Sequence, residues 1–304
     1  MSTRQRIDVH HHPSPPTYIN ARDNSNRFAT PQIQWTVQKT LDDMERGGVA
    51  TSILSLPHPP SIWPADLNIG RRLAREWNEY MAGMARDYPG RFGVFAAVPV
   101  FDIDGALRET AYAMDTLKAD GICLVTSYKG KYLGDKMFDP VWDELNRRKA
   151  VIFAHPQTPI GDHSERDRIL EMPFDTARAV FDLVLSRHFK RYPNIRWVFA
   201  HGGGGLPFLW QRIQDSESKR SDVIDPAGLK ATIKDVHFDV VGAANKIDFQ
   251  LIRQLWGIDR LTFGTDWSFV EAKVTANNVD ALGLSAADAY AVNRGNAEKL
   301  FPRF

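Results

Sequence analysis

The chain reads as an α/β protein, a (β/α)8 TIM barrel, and three features of the sequence predict it. Eight short apolar, β-rich runs recur along its 304 residues. Longer amphipathic stretches separate them, the alternation expected of a parallel sheet wound with helices. Four of the runs end in histidine or aspartate, and barrels of this kind gather their active sites at the C-terminal ends of the strands.

The runs are Arg6–His10, Thr51–Leu56, Arg91–Val98, Gly121–Thr126, Val151–Ala154, Ile195–Ala200, Val236–Val241 and Arg260–Gly264. They lack clean polar/apolar alternation, as strands buried on both faces should. Ala65–Asp87 places Leu67, Leu73, Trp77, Met81 and Met84 at helical spacing and stops at Tyr88-Pro89-Gly90, a strong breaker. Asp139-Pro140 opens a helix running to Lys149, with proline in its first turn. Phe174–Tyr192 forms another helix, ending before Pro193, and Ser285–Leu300 forms two short ones. His11–Trp35 and Pro156–Met172 are long and rich in proline and polar residues. Both follow strand ends, where they would cover a substrate. No linker or repeat signals a second domain, so residues 1–304 are expected to form one barrel.

A hydrophobic content of 43% supports one large core. Lys+Arg number 38 against Asp+Glu 37, so global charge gives no reason to expect a nucleic-acid or membrane partner. The one cysteine, Cys123, sits in Ile122-Cys123-Leu124-Val125 and reads as a small buried hydrophobe. No disulfide can form within the chain, which fits a reducing cytosol. Met1–Arg6 has no apolar signal-peptide region, and no run approaches the ~20 apolar residues of a membrane span. The expectation is a cytoplasmic protein.

The chemistry lies at the strand ends: Asp8-Val9-His10-His11-His12, Phe153-Ala154-His155-Pro156, Phe199-Ala200-His201-Gly202 and Gly264-Thr265-Asp266-Trp267. Residues i and i+2 of an extended segment share a side, so His10 and His12 can chelate one cation while His11 faces the helix layer. Each of these residues alone has an ordinary explanation, such as a solvated histidine or, for Asp266, a helix cap. Their joint position, directly after strands one, five, six and eight, points to one shared metal site. Histidine and carboxylate donors without thiolate suit Zn²⁺, with Mn²⁺ or iron as alternatives. Three histidines and an aspartate leave a coordination position open, the mark of a catalytic site.

These same segments resemble the amidohydrolase-related family whose best-known member is aminocarboxymuconate semialdehyde decarboxylase, along nearly the whole chain. The resemblance implies a metal-dependent hydrolase-like barrel. It also implies that His10, His12, His155 and Asp266 ligate the metal and that His201 is the catalytic histidine. Ser127–Gly134, Pro173–Arg178 and His201–Arg212 are most similar to decarboxylases of the 6-methylsalicylate type. Some relatives carry Glu-x-His at the first motif; His10-x-His12 is similar to the zinc-binding branch. Relatives often form dimers, which implies a homodimer.

The expected reaction is non-oxidative loss of CO₂ from a small aromatic (salicylate-like) or muconate-type acid. It needs stabilisation of developing negative charge, which a divalent ion supplies, and a proton for the carbon that keeps the electrons, from Asp266 or His201. The alternative is a hydrolase opening a lactone or similar ester with the same metal and His201; the family contains both. A barrel that binds metal without catalysis is a third reading, opposed by the complete ligand set. For substrate contacts the sequence offers Arg178 and Arg212 as carboxylate clamps, His58 at the end of strand two, and Phe174 and Trp267 against an aromatic ring. Each has an equally good structural explanation, as a solvated charge or as packing. Gly202–Gly205 lacks the spacing of a phosphate loop and is expected to give room beside the metal. His163 and His188 are expected at the surface, and His237 lies early in strand seven, away from the catalytic face.

Overall fold

In the computed structural model, which describes residues 5–21, 34–57, 66–157, 167–217 and 223–304, eight parallel strands form one sheet in sequence order. They are β1 (Arg6–His11), β2 (Val49–Leu54), β3 (Phe92–Ala97), β4 (Gly121–Val125), β5 (Val151–His155), β6 (Arg196–Phe199), β7 (Val236–Asp239) and β8 (Leu261–Thr262). The last meets the first: Val9 N–H donates to Phe263 O at 3.0 Å and Asp266 N–H to His10 O at 2.8 Å. The predicted barrel is therefore the observed one.

The strands read as continuous apolar runs because both of their faces are buried. Inside the barrel, Ile7, Val9, Ile53, Phe95, Phe153 and Val198 pack together, with Leu300 and Phe301 from the C-terminal segment. Cys123 belongs to this interior as expected: it is fully buried, its Sγ donates to Leu56 O at 3.4 Å, and burial pushes the thiol up. The outward faces meet a ring of helices, chiefly α1 (Val37–Gly47), α2 (Leu67–Asp87), α3 (Ile103–Ala111), α4 (Asp139–Arg147), α5 (Met172–Leu185), α6 (Leu206–Glu217), α7 (Lys246–Trp256) and α8 (Ala272–Asp280). No helix among the described residues is long and apolar enough to cross a membrane.

Local sequence explains the helix ends. Thr36 caps α1 by accepting from Lys39 N–H, and Gly48, at φ 63°, closes it by donating back to Glu45 and Met44. Asp66 caps α2, whose buried stripe is Leu73, Trp77, Met81 and Met84; Leu67, assigned to that stripe from spacing, is exposed in the first turn. The helix predicted over Phe174–Tyr192 is two: α5 ends at Leu185, and a single turn, His188–Arg191, follows Arg187 at φ 60°. After β4 the chain makes a small hairpin, Ser127–Tyr128 against Lys131–Tyr132, turning at Lys129 and Gly130, both with positive φ.

His188 is not a surface residue. It is buried against Trp142, Tyr192 and Trp197, with ring centroids at 5.0, 4.8 and 5.3 Å, because the break at Arg187 turns it inward. His163 lies outside the described residues. Burial depresses the imidazole of His188 to about 3 and that of His237, in β7, to about 4, against 6.5 when exposed. Both stay neutral in the folded chain where the unfolded chain takes up protons. Their contribution to stability is therefore complete above pH 6.5 and falls as pH drops toward those values, by up to about 1.4 kcal/mol per pH unit for each histidine. Urea unfolding at pH 7 and pH 4.5 is expected to show that loss, and His188→Phe to remove the part due to His188. An identical pH slope in the variant would contradict the assignment.

Candidate metal centre

Five side chains from four strand ends converge at the C-terminal mouth of the barrel. His10 is in β1, His12 just beyond it, His155 ends β5, His201 follows β6, and Asp266 follows β8. One donor atom from each of His10, His155, His201 and Asp266 lies within 4.8 Å of all the others. His12 completes the set: its Nε2 is 3.0 Å from His10 Nε2 and 3.2 Å from Asp266 Oδ1. Asp266 Oδ1 is also 3.3 Å from His10 Nε2. The i, i+2 placement of His10 and His12 and the meeting of the strand ends are as the sequence predicts.

The outward nitrogens decide what the inner ones can do. His10 Nδ1 lies 2.7 Å from Asp239 Oδ2, His12 Nδ1 2.8 Å from Ser55 O, and His155 Nδ1 2.8 Å from Pro156 O. Each partner is an acceptor, so each Nδ1 carries the proton and each Nε2 presents a lone pair to the centre. Three lone pairs and a carboxylate oxygen facing one another repel unless a cation lies among them. That is the test of fit, and a divalent metal passes it.

The charges agree. Burial lowers the His10 imidazole, but Asp239 and Asp266 overcome it and raise it to about 10: the two carboxylates favour positive charge at this point. Burial drives His12 down and His155 far down, the latter reinforced by its histidine neighbours. Burial opposes ionisation of Asp266, yet His10 and the hydrogen bonds of the cluster hold its carboxyl well below the usual range. Two carboxylates on the His10 axis leave negative charge that a 2+ ion would neutralise. Beneath it, Phe153 meets the His10 ring edge-on at 4.9 Å and stacks on Phe95, so the floor is apolar and these interactions act in a low dielectric.

His201 differs from the other histidines. Its Nδ1 has no hydrogen-bond partner among the described residues, and its Nε2 is 3.6 Å from Asp266 Oδ2. It is partly exposed, as is Asp266. Both sit at positive φ, 59° and 63°, an uncommon conformation for residues other than glycine that turns each side chain back over the barrel mouth. Asp8 holds the Asp266 turn to β1 by accepting from Thr265 N–H and Oγ1, at 3.0 and 2.7 Å, and from His10 N–H at 3.0 Å. Its Oδ2 also takes His11 Nδ1 at 2.9 Å, which keeps His11 out of the centre.

The expected substrate contacts fare differently. Trp267 does not join the cluster: the turn at Asp266 sends its ring to the helix layer, where Nε1 donates to Thr40 Oγ1 at 3.1 Å. Phe269, two residues on and half exposed, faces His12 instead, at 6.1 Å between centroids. Arg178 is exposed on α5, 3.5 Å from Glu171, and Arg212 is exposed on α6; the structure groups neither with the histidines. Phe174 is exposed and lies over Gly205. His58 lies outside the described residues. The glycines after His201 pack closely against neighbouring segments. A Cβ on Gly204 would come 2.1 Å from Pro173 O, and one on Gly202 2.9 Å from Ala243, so they admit close backbone packing against α5 and the β7 loop.

Sequence reasoning missed Asp239. Its Oδ2 fixes His10, and its Oδ1 accepts from the N–H groups of His201 and Val241 at 2.9 and 3.0 Å. It ends β7 in His237-Phe238-Asp239-Val240-Val241, where a carboxylate inside an apolar run was the available signal.

The chain is 35% identical to Decarboxylase yanB of Aspergillus niger, covering 98% of this chain and 88% of that one. It is 33% identical to the 6-methylsalicylic acid decarboxylase of Penicillium expansum, covering 98% and 96%. A dihydroxybenzoic acid decarboxylase from Polaromonas, solved with bound manganese and the inhibitor 2-nitroresorcinol, shares the fold with a TM-score of 0.84 at 22% identity, covering 99% and 97%. Residues 7–303 match the model of the amidohydrolase family Amidohydro_2, and the chain belongs to that family.

Proposed function

We propose that this protein is a metal-dependent, non-oxidative decarboxylase of a small aromatic, salicylate-like acid. The observation that carries the reading is the set of three tautomer-fixed imidazoles and one carboxylate aimed at a single point, beside a histidine whose tautomer is left free. His10, His12, His155 and Asp266 would hold the ion. The donor set suits Zn²⁺, while the manganese of the Polaromonas structure makes Mn²⁺ the alternative that metal analysis separates. Bound there, the ion supplies Lewis-acid stabilisation of the negative charge that develops during the reaction.

The chain's own residues supply the rest. His201 Nε2 and Asp266 Oδ2, 3.6 Å apart on the open side of the cluster, hold the proton that the reaction consumes. It goes to the ring carbon that bears the carboxylate. The bond from that carbon to the carboxylate carbon then breaks, CO₂ leaves, and the electron pair returns to the ring. Phe269 offers an aromatic wall beside His12 for the substrate ring. The relatives above 30% identity that match the chain along 98% of its length are named as decarboxylases, and nothing among the described residues favours the hydrolytic alternative. Turnover of a panel of ortho-hydroxybenzoates and muconate semialdehydes, followed as CO₂ release beside ring-opening of lactones, tests the proposal. CO₂ from an ortho-hydroxybenzoate is expected. Fast lactone opening with no CO₂ from any acid would end the decarboxylase reading.

A further inference from the structure

Asp175, in the first turn of α5, is fully buried and stands outside the set of side chains that face the metal. Its Oδ1 accepts from Tyr132 OH at 2.6 Å. Its Oδ2 accepts from the Thr126 hydroxyl and from Gln157 N–H, the latter at 3.2 Å. The three donors come from the hairpin, the end of β4 and the segment leaving β5. Burying a carboxylate is costly unless donors meet its oxygens, so the group is satisfied only while these three segments stay together.

Gln157 N–H is one side of the Pro156–Gln157 peptide unit. The other side is Pro156 O, which accepts from His155 Nδ1 at 2.8 Å. A peptide unit is planar, and its N–H and C=O point in opposite directions when trans, so holding one fixes the other. Thr126 adds to the grip: its Oγ1 accepts from the same Gln157 N–H at 3.2 Å, and its own N–H donates to His155 O at 3.0 Å.

We propose that Asp175 is a positioning residue for His155. It orients the Pro156–Gln157 peptide so that Pro156 O keeps the His155 proton on Nδ1 and Nε2 presents its lone pair to the metal site. The inference rests on the metal-site reading above. Asp182 is the natural control. It lies on the same helix, and its Oδ2 accepts from Gly134 N–H at 2.6 Å near the same hairpin, yet among the described residues no hydrogen bond ties it to the His155 turn.

The test is Zn²⁺ titration of the metal-stripped full chain against a chromophoric competitor. Asp175→Ala is expected to weaken Zn²⁺ binding about tenfold or more. Asp175→Asn, which keeps an acceptor for Gln157 N–H, is expected to recover most of that loss. Asp182→Ala is expected to bind as wild type, although both alanine variants melt earlier. In ¹⁵N histidine spectra, His155 is expected to pass from a single Nδ1–H tautomer to a mixture in Asp175→Ala alone. Wild-type affinity in Asp175→Ala, or equal weakening in Asp182→Ala, would overturn the proposal. If Asp175→Ala does not fold, Thr126→Val, a near-isosteric change at the same joint, is expected to weaken binding several-fold, and unchanged affinity there overturns it. His155→Ala keeps the two readings apart. Undiminished Zn²⁺ binding in that variant sinks the metal site itself, whereas its loss beside an unaffected Asp175→Ala sinks only the positioning role.

Discussion

His201→Ala is expected to keep the bound metal and to lose about 10²- to 10⁴-fold in kcat, the usual share of a positioned proton-transfer group. The ground is the contrast among the four imidazoles. Those of His10, His12 and His155 have Nδ1 committed to an acceptor, whereas His201 Nδ1 has no partner among the described residues. A histidine free to change which nitrogen carries the proton suits proton transfer better than permanent ligation. Its position at φ 59° calls for a second variant, because alanine is strained there and asparagine is better tolerated. His201→Asn is expected to match the activity loss of His201→Ala with less effect on stability. Metal content measured beside kcat checks the prediction. Loss of metal in step with activity would move His201 into the ligand set, and near-wild-type turnover would remove its role.

Asp239→Asn is expected to weaken metal binding by about 10- to 100-fold, with activity falling accordingly. The change is nearly isosteric, so its effect is one of hydrogen-bond direction. All three partners of Asp239 are donors: His10 Nδ1, His201 N–H and Val241 N–H. Asparagine has one acceptor oxygen and a donor nitrogen. If the oxygen keeps the two backbone groups, its NH₂ faces His10 Nδ1 and drives the imidazole proton to Nε2, which removes a metal-facing lone pair. If the amide turns over, the backbone N–H groups of His201 and Val241 lose their acceptor and the His201 turn loosens. A competition titration with Zn²⁺, with circular dichroism confirming the fold, reads the result. Unchanged affinity would show that the Asp239–His10 contact does not set the tautomer.

The barrel was legible because its signals are local. Apolar runs buried on both faces, helices between them and polar residues at strand ends are visible without tertiary contacts. The meeting of His10, His12, His155, His201 and Asp266 was legible for the same reason: barrel closure alone brings strand ends together. What depends on the direction of one backbone turn was not. Trp267 follows Asp266 at φ 63°, and nothing in Gly264-Thr265-Asp266 announces that turn, so its ring points to Thr40 rather than to the pocket. Arg187 breaks the predicted Phe174–Tyr192 helix at φ 60° without a glycine or proline to mark it, and His188 is buried as a result. Asp239 was the opposite case. Its place in an apolar run gave a usable signal, but no histidine follows it at the strand end; His237 lies early in the strand.

Protein purified without chelator and analysed for metals, then stripped, assayed and reconstituted, tests the centre most directly. Close to one divalent cation per chain is expected, with activity lost on chelation and restored by adding back Zn²⁺ or Mn²⁺. A chain that carries no firmly held cation and decarboxylates undiminished after exhaustive chelation would contradict the assignment of His10, His12, His155 and Asp266 as ligands.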